Sequence, residues 1–260
     1  MPTVRDIEQA MFRWAPKESA FSWDNVGHLV GDGDCEVQKV LVALDITPAV
    51  AEEAVDGGYD LIVSHHPLMN CAWLPVQTVR NDNQQGRILI SLIRNHVSAI
   101  CMHTNLDAAA GGVNDILADK LTIEQAAPID GGDGIVRAGM MKDEMSLQHF
   151  LKLVRDQLHP NGIRFVDAGK PVHRVAVGGG ACGDYFAAAA AQGCDTLVTS
   201  DVKYNQFLDA KELGINLIDA GHFPTEDCVC PVIVNYLHEQ FPDLMIKKSI
   251  SHGEIIQYYI

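Results

Sequence analysis

The chain writes one βαβ pattern twice, and this repetition narrows the folds open to it. At a constant offset of 135 positions, Val40 meets Val175, Ala54 meets Ala189, Gly58 meets Gly193 and Asp60 meets Asp195. At the same offset Ile62-Val63-Ser64 meets Leu197-Val198-Thr199. Both segments read as strand, turn, Ala-rich helix, Gly-x-Asp turn, strand. Parallel strands need a crossover of about a dozen residues or more, usually a helix, and both copies have room for one. Chance likeness between two generic βαβ units is the competing explanation. The repeat predicts an α/β protein made of two similar domains by internal duplication. The expected boundaries are 1–125 and 126–260, with the C-terminal 227–260 able to return to the first domain. A chain of 260 residues is long enough to give each a buried core.

The chemistry gathers where the strands end. His65 and His66 close the apolar run Leu61-Ile62-Val63-Ser64, and Pro67 follows. A buried parallel strand reads as such a run, and ligands of open α/β sheets sit outside the carboxyl ends of strands. Successive strand residues point to opposite faces, so both rings meet one target only past the strand end, which Pro67 supplies. Imidazole is the commonest side-chain metal ligand. Two polar histidines in a loop are the plainer reading of this pair alone.

Each half continues with a further strand and a His-x3-carboxylate motif: His103 to Asp107 after the run at 99–102, and His222 to Glu226 after the run at 215–220. The segment 68–90 between β-type runs of the first half, with Pro75 and polar 81–85, reads largely as loop. Only the first half adds a double histidine; the second has Ser200 and Asp201 there. Alone, Asp107 reads equally as a helix cap, and Glu226 as a first-turn acid with Pro224 near the helix start. Pro231 either restarts or kinks the helix that follows.

His65, His66, His103, His222, Asp107 and Glu226 form a mixed nitrogen and oxygen set. A structural zinc needs four ligands, usually several cysteines, and the seven scattered cysteines (35, 71, 101, 182, 194, 228, 230) make no Cys-x-x-Cys pair. They read as small packing residues. The set suits two divalent ions, such as zinc, iron, manganese or nickel, in a cleft between the domains. Two-metal sites hold their ions about 3.5–4 Å apart and activate water for hydrolysis.

Bulk properties exclude other classes. The net charge of −15 repels phosphate backbones and argues against nonspecific duplex binding. Bound cations still let an acidic protein hold an anionic substrate. No apolar stretch approaches a membrane span. The N-terminus reads as an amphipathic helix with Val4, Ile7, Met11 and Trp14 on one face, capped by Thr3 and Asp6, rather than a targeting signal. Scattered thiols without a secretory signal fit the cytoplasm. The run Gly178-Gly179-Gly180-Ala181-Cys182-Gly183 fits G-x-G-x-x-G between a strand and a helix, with Asp201 near the place of a ribose acid. It carries a dinucleotide-binding reading, or a milder phosphate-binding one.

The chain resembles the NIF-three-like family (NGG-one-interacting factor three), whose members are often named GTP cyclohydrolase I type 2 homologues. The matching segments are Ser22-Trp23-Asp24-Asn25-Val26-Gly27, Ser64-His65-His66-Pro67 and His103-Thr104-Asn105-Leu106-Asp107. Further matches are Gly111-Gly112-Val113-Asn114-Asp115, Gly178-Gly179-Gly180, and Gly221-His222 with Thr225-Glu226. The resemblance implies two similar α/β domains, a dinuclear metal site and a ring-shaped homohexamer, in the short form without an inserted domain. Carried over by motif, the ligands are His65, His66, Asp107, His222 and Glu226, with His103 close by. His28 and Ser200 depart from the family pattern at positions that border the site.

The resulting expectation is a metal-dependent hydrolase of a nucleotide or related small molecule. Asp107 and Glu226 bridge two metals, His65, His66 and His222 complete the shells, and His103 moves a proton. The alternatives are a non-enzymatic metal-binding, storage or regulatory scaffold, and a nucleotide-binding oxidoreductase using the Gly178 loop.

Overall fold

In the computed structural model, residues 1–70 and 75–259 are described; Cys71 lies outside them. The chain divides into two compact units, Met1–Ala110 with Val229–Gly253, and Gly111–Cys228 with Glu254–Ile260. The division falls at Ala110 rather than at residue 125. The segment after Gly111 forms a helix that packs on strands of the second sheet, not the first.

The first unit holds α1 (Val4–Trp14), β1 (Gly27–Val30), β2 (Lys39–Ala43), α2 (Pro48–Asp56), β3 (Leu61–Ser64), α3 (Gln84–Arg94), β4 (Ser98–Cys101) and α4 (Thr104–Ala108). The second unit holds α5 (Val113–Lys120), β5 (Glu124–Pro128), β6 (Arg137–Met145), α6 (Leu147–Leu158), β7 (Arg164–Val166), β8 (Val172–Val177), α7 (Phe186–Ala191), β9 (Thr196–Thr199), α8 (Tyr204–Leu213), β10 (Asn216–Asp219) and α9 (His222–Glu226). The chain then returns to the first unit as α10 (Cys230–Gln240) and β11 (Met245–Lys248).

The first sheet runs β1-β4-β3-β2-β11, with β11, β2, β3 and β4 parallel and β1 antiparallel. The second runs β5-β6-β8-β9-β10-β7, with a parallel β8-β9-β10 centre and antiparallel flanks. Strands β3, β4, β9 and β10 are buried at every residue, as strands covered on both faces must be. Helices α2 and α3 pack their apolar residues, including Val50, Ala54, Leu89 and Leu92, with Leu41 and Ile62 of the first sheet. Phe150 and Val154 of α6 do the same with Val175 and Val198 of the second.

The repeat is written in the hydrogen bonds. Asp60 accepts from the amides of Gln38 and Lys39 through one carboxylate oxygen, at 2.8 and 2.9 Å. Asp195 accepts from His173 and Arg174 in the same way, at 2.9 and 2.7 Å. Both acids begin the strand beside the one they hold, so each pins the start of a parallel pair. The amides of Ser98 and Asn216 then donate to the carbonyls of Asp60 and Asp195.

The N-terminal helix forms as expected. Thr3 and Asp6 make a reciprocal capping box, and Val4, Ile7 and Met11 are buried. Pro231 restarts rather than kinks: Asp227–Val229 is a 3₁₀ turn, and Pro231 lies in the first turn of α10. The expected loop at 68–90 is corrected at its end. Helix α3 begins at Gln84, because Asn83 caps it by accepting from the Gly86 amide at 2.7 Å. The polar start disguised a helix whose apolar side begins only at Ile88. Every described cysteine except Cys35 is buried. No described helix is long and apolar enough to cross a membrane.

Replacing Asp60 or Asp195 by alanine removes two hydrogen bonds to a carboxylate and is expected to cost about 2 kcal/mol in each case. Hydrogen exchange should accelerate at Gln38 and Lys39 in Asp60→Ala, and at His173 and Arg174 in Asp195→Ala. Unchanged exchange at these amides would contradict the pinning role.

Candidate metal half-sites

In the first unit, in-register pairing of β3 with β4 puts their carboxyl ends side by side, with Ser64 opposite Cys101. The chain leaves β3 as His65-His66 and β4 as Met102-His103. The rings of His65, His66 and His103 lie 5.1 to 5.6 Å apart, centre to centre. One ligand atom from each lies within 4.8 Å of the other two, a spacing that suits one ion. Asp107, in α4, brings Oδ1 to 3.5 Å from Nε2 of His65. His65 is fully buried and Asp107 nearly so. The sequence thus places four of its six candidates in one cluster.

Each ring is held from behind. His65 Nδ1 donates to the Met102 carbonyl at 2.7 Å, His66 Nδ1 to Asp45 at 2.7 Å, and His103 Nδ1 to Asp24 at 2.9 Å. Asp24 also accepts from the Thr104 amide and hydroxyl. Burial pushes the Asp24 carboxyl up, but the bond from His103 and those from Thr104 overcome this and hold it at about 2. This explains the Ser22-Trp23-Asp24-Asn25 motif: Asp24 orients His103, and Asn25 donates to the Met69 carbonyl at 2.7 Å. His28, which departs from the family pattern, pairs through Nε2 with the Val30 carbonyl of its own strand at 2.7 Å.

The second unit has Ser200 and Asp201 in place of the double histidine and adds one residue before its own histidine. Strand pairing places Ser98 and Asn216 in equivalent registers, 118 positions apart. His103 and His222 are 119 apart. The extra residue is Gly221, whose φ of 88° favours glycine. It moves His222 from before the helical turn to its first residue. His222 and Glu226 then share a face of α9, with Nε2 3.0 Å from Oε2. Asp201 accepts from His222 Nδ1 at 2.5 Å. Burial opposes a charged His222, but Glu226 and Asp201 outweigh it and raise the ring to about 11. A histidine gripped by two acids marks a place that favours positive charge, as a metal site must.

The glycine loop packs against this half-site. Three of its amides donate to side chains: Gly179 to Asn114, Gly180 to Thr225 and Cys182 to Thr199, at 2.7, 3.1 and 3.0 Å. Asp201, near the place of a ribose acid, is engaged with His222. The glycines are needed for space. A Cβ on Gly180 would land on Glu226 Oε1 and 3.2 Å from His222 Nε2.

The donor set fits divalent cations: imidazoles presenting Nε2, each fixed at Nδ1 by an acceptor, together with nearly buried carboxylates. Asp24, Asp45 and Asp201 were missed as supporting acids, because only folding brings them to their histidines.

The fold and its half-sites define a class, the duplicated α/β protein with histidine–carboxylate clusters beyond its parallel strands. The chain belongs to the DUF34/NIF3 family (NGG1p interacting factor 3), whose model matches residues 2–253. It is 35% identical over 229 residues to a GTP cyclohydrolase 1 type 2 homolog of Clostridium perfringens, covering 86% of each chain. It superimposes on a hypothetical protein of Staphylococcus aureus with a TM-score of 0.90 at 29% identity, covering 100% of both chains. A Bacillus cereus protein related to NIF3 shares the fold, with a TM-score of 0.92 at 23% identity and coverage of 100% and 99%.

Gly180→Ala is expected to push Glu226 aside and lower bound metal. Gly193→Ala carries the same left-handed strain, at φ +77°, with nothing within 4 Å of its Cβ among described residues. It should cost about 1 kcal/mol and leave metal content unchanged, as metal analysis and thermal melting would show. Asp24 generates a second expectation for metal-free protein. Its lowered value adds stability present above the unfolded value of 3.8 and lost as pH falls through about 2. The stability gap between wild type and Asp24→Asn should therefore close on acidification, as measured by denaturation.

Proposed function

We propose that the two half-sites serve one dinuclear centre, and that the protein is a metal-dependent hydrolase of a nucleotide or related small molecule. One observation carries this reading. All four candidate histidines donate Nδ1–H to a carbonyl or carboxylate, the second partner that orients a metal-ligating imidazole, and carboxylates stand beside them at Nε2 of His65 and His222. His65, His66 and His222 would supply nitrogen ligands, and Asp107 and Glu226 carboxylate oxygens. Two divalent ions, when bound, would polarise the substrate and activate water. His103, oriented by Asp24, holds and moves a proton at Nε2.

Substrate class follows from the surroundings. Trp23 is 42% exposed and stands edge-on to His103 at 6.0 Å, an aromatic surface on which a nucleobase can stack. The metals would supply the positive charge that a chain of net −15 lacks for an anionic substrate. The name of the Clostridium perfringens relative agrees with a guanine nucleotide, so GTP heads the compounds to test.

Metal-replete protein should turn over GTP or another member of a nucleotide panel, and Asp107→Ala should lose at least about 100-fold. Metal analysis should find about two equivalents, falling sharply in Glu226→Ala. Equal activity in wild type and Asp107→Ala would overturn the hydrolase. Two equivalents of metal with no turnover across the panel would replace it with a metal-binding scaffold.

A further inference from the structure

Beyond the ligands lies a residue that neither motif nor comparison assigns: His252, near the end of the first unit's returning segment. Asp45, just past β2, is engaged through both oxygens. Oδ1 accepts from His66 Nδ1 and Oδ2 from His252 Nε2, each at 2.7 Å. The His252 side chain is only 11% exposed.

This arrangement is built rather than incidental. After β11, the Ser249 amide donates to the Val42 carbonyl at 2.7 Å, continuing the pairing with β2. Glu53 of α2 then ties down three successive residues, accepting from the Ser249 hydroxyl at 2.5 Å and from the amides of Ile250 and Ser251 at 3.3 and 3.1 Å. The tether is wholly polar, since Ile250 itself is 91% exposed. Its effect is to deliver the next residue, His252, to Asp45.

We infer that His252 is a positioning residue for the metal centre: it locks Asp45, and Asp45 in turn fixes the orientation and tautomer of His66. This rests on the metal reading proposed above. An ionised carboxylate only accepts hydrogen bonds, so both rings must donate to Asp45. His66 therefore carries a proton on Nδ1, which makes Nε2 the atom of the neutral ring that a metal would take. With one oxygen bonded, the Asp45 side chain could still rotate; with both bonded, its plane is set and so is the ring of His66. Partners at this remove typically change metal affinity by about 10–100-fold when lost.

Four proteins test this: wild type, Asp45→Asn, His252→Ala and His252→Gln. The readouts are zinc affinity by chelator competition, the cobalt(II) absorption spectrum, and the melting temperature of metal-free protein. Asp45→Asn should weaken zinc binding about 10–100-fold, because the amide can donate to Nδ1 and leave the proton on Nε2. His252→Ala should weaken it about tenfold and alter the cobalt spectrum. His252→Gln, whose amide can still donate to Asp45, should restore affinity to within about threefold of wild type. Wild-type affinity and spectrum in His252→Ala would overturn the role of His252 alone, as would a lower melting temperature with an unchanged spectrum. A wild type that binds neither zinc nor cobalt would overturn the metal reading itself.

Discussion

Everything at the candidate centre depends on in-register pairing between adjacent parallel strands. Because Ser64 sits opposite Cys101, the residues that follow both strands emerge at one edge. His65 then meets the Met102 carbonyl, and His66 and His103 fall in beside it. A one-residue slip would reverse the face of every following side chain. Asp60 holds the start of β2 on one side, and its carbonyl takes the Ser98 amide of β4 on the other. The same aspartate thus sets the register of three strands, about one strand length from the cluster it controls.

Much of this was legible in the sequence because it is local. The apolar run before His65-His66 marks a buried strand, and the constant offset marks the repeat. Spacing His222 and Glu226 four residues apart places them on one face of a helical turn. Other features were hidden because they depend on long-range contacts. Asp24 lies 79 positions from His103, and Asp45 lies 207 from His252. The glycine run is ambiguous for a different reason. The pattern for a loop that approaches a phosphate is also the pattern for a loop that approaches a carboxylate, and only the partners of its amides distinguish the two.

The duplication is also informative where it breaks. Gly221 adds one residue to the second copy, and the histidine that stands before the helical turn in one half becomes part of it in the other. His103 consequently turns to an acid from the N-terminal region, whereas His222 stands between Asp201 and Glu226. Two copies of one motif have thereby acquired different electrostatic settings, through the inserted glycine and through Asp201 in the place of His66.

The return of α10 and β11 to the first unit has a consequence for synthesis. Strand β2 pairs with β3 on one side and with Met245–Lys248 on the other. As the nascent chain leaves the ribosome, that second edge stays open while the whole of residues 111–228 is made. An open parallel edge is a site for wrong pairing, and the first unit is completed only after the second has been made. The clasp on His66 is made in the same closing step, so the centre acquires this support only after residues 111–228 have been made.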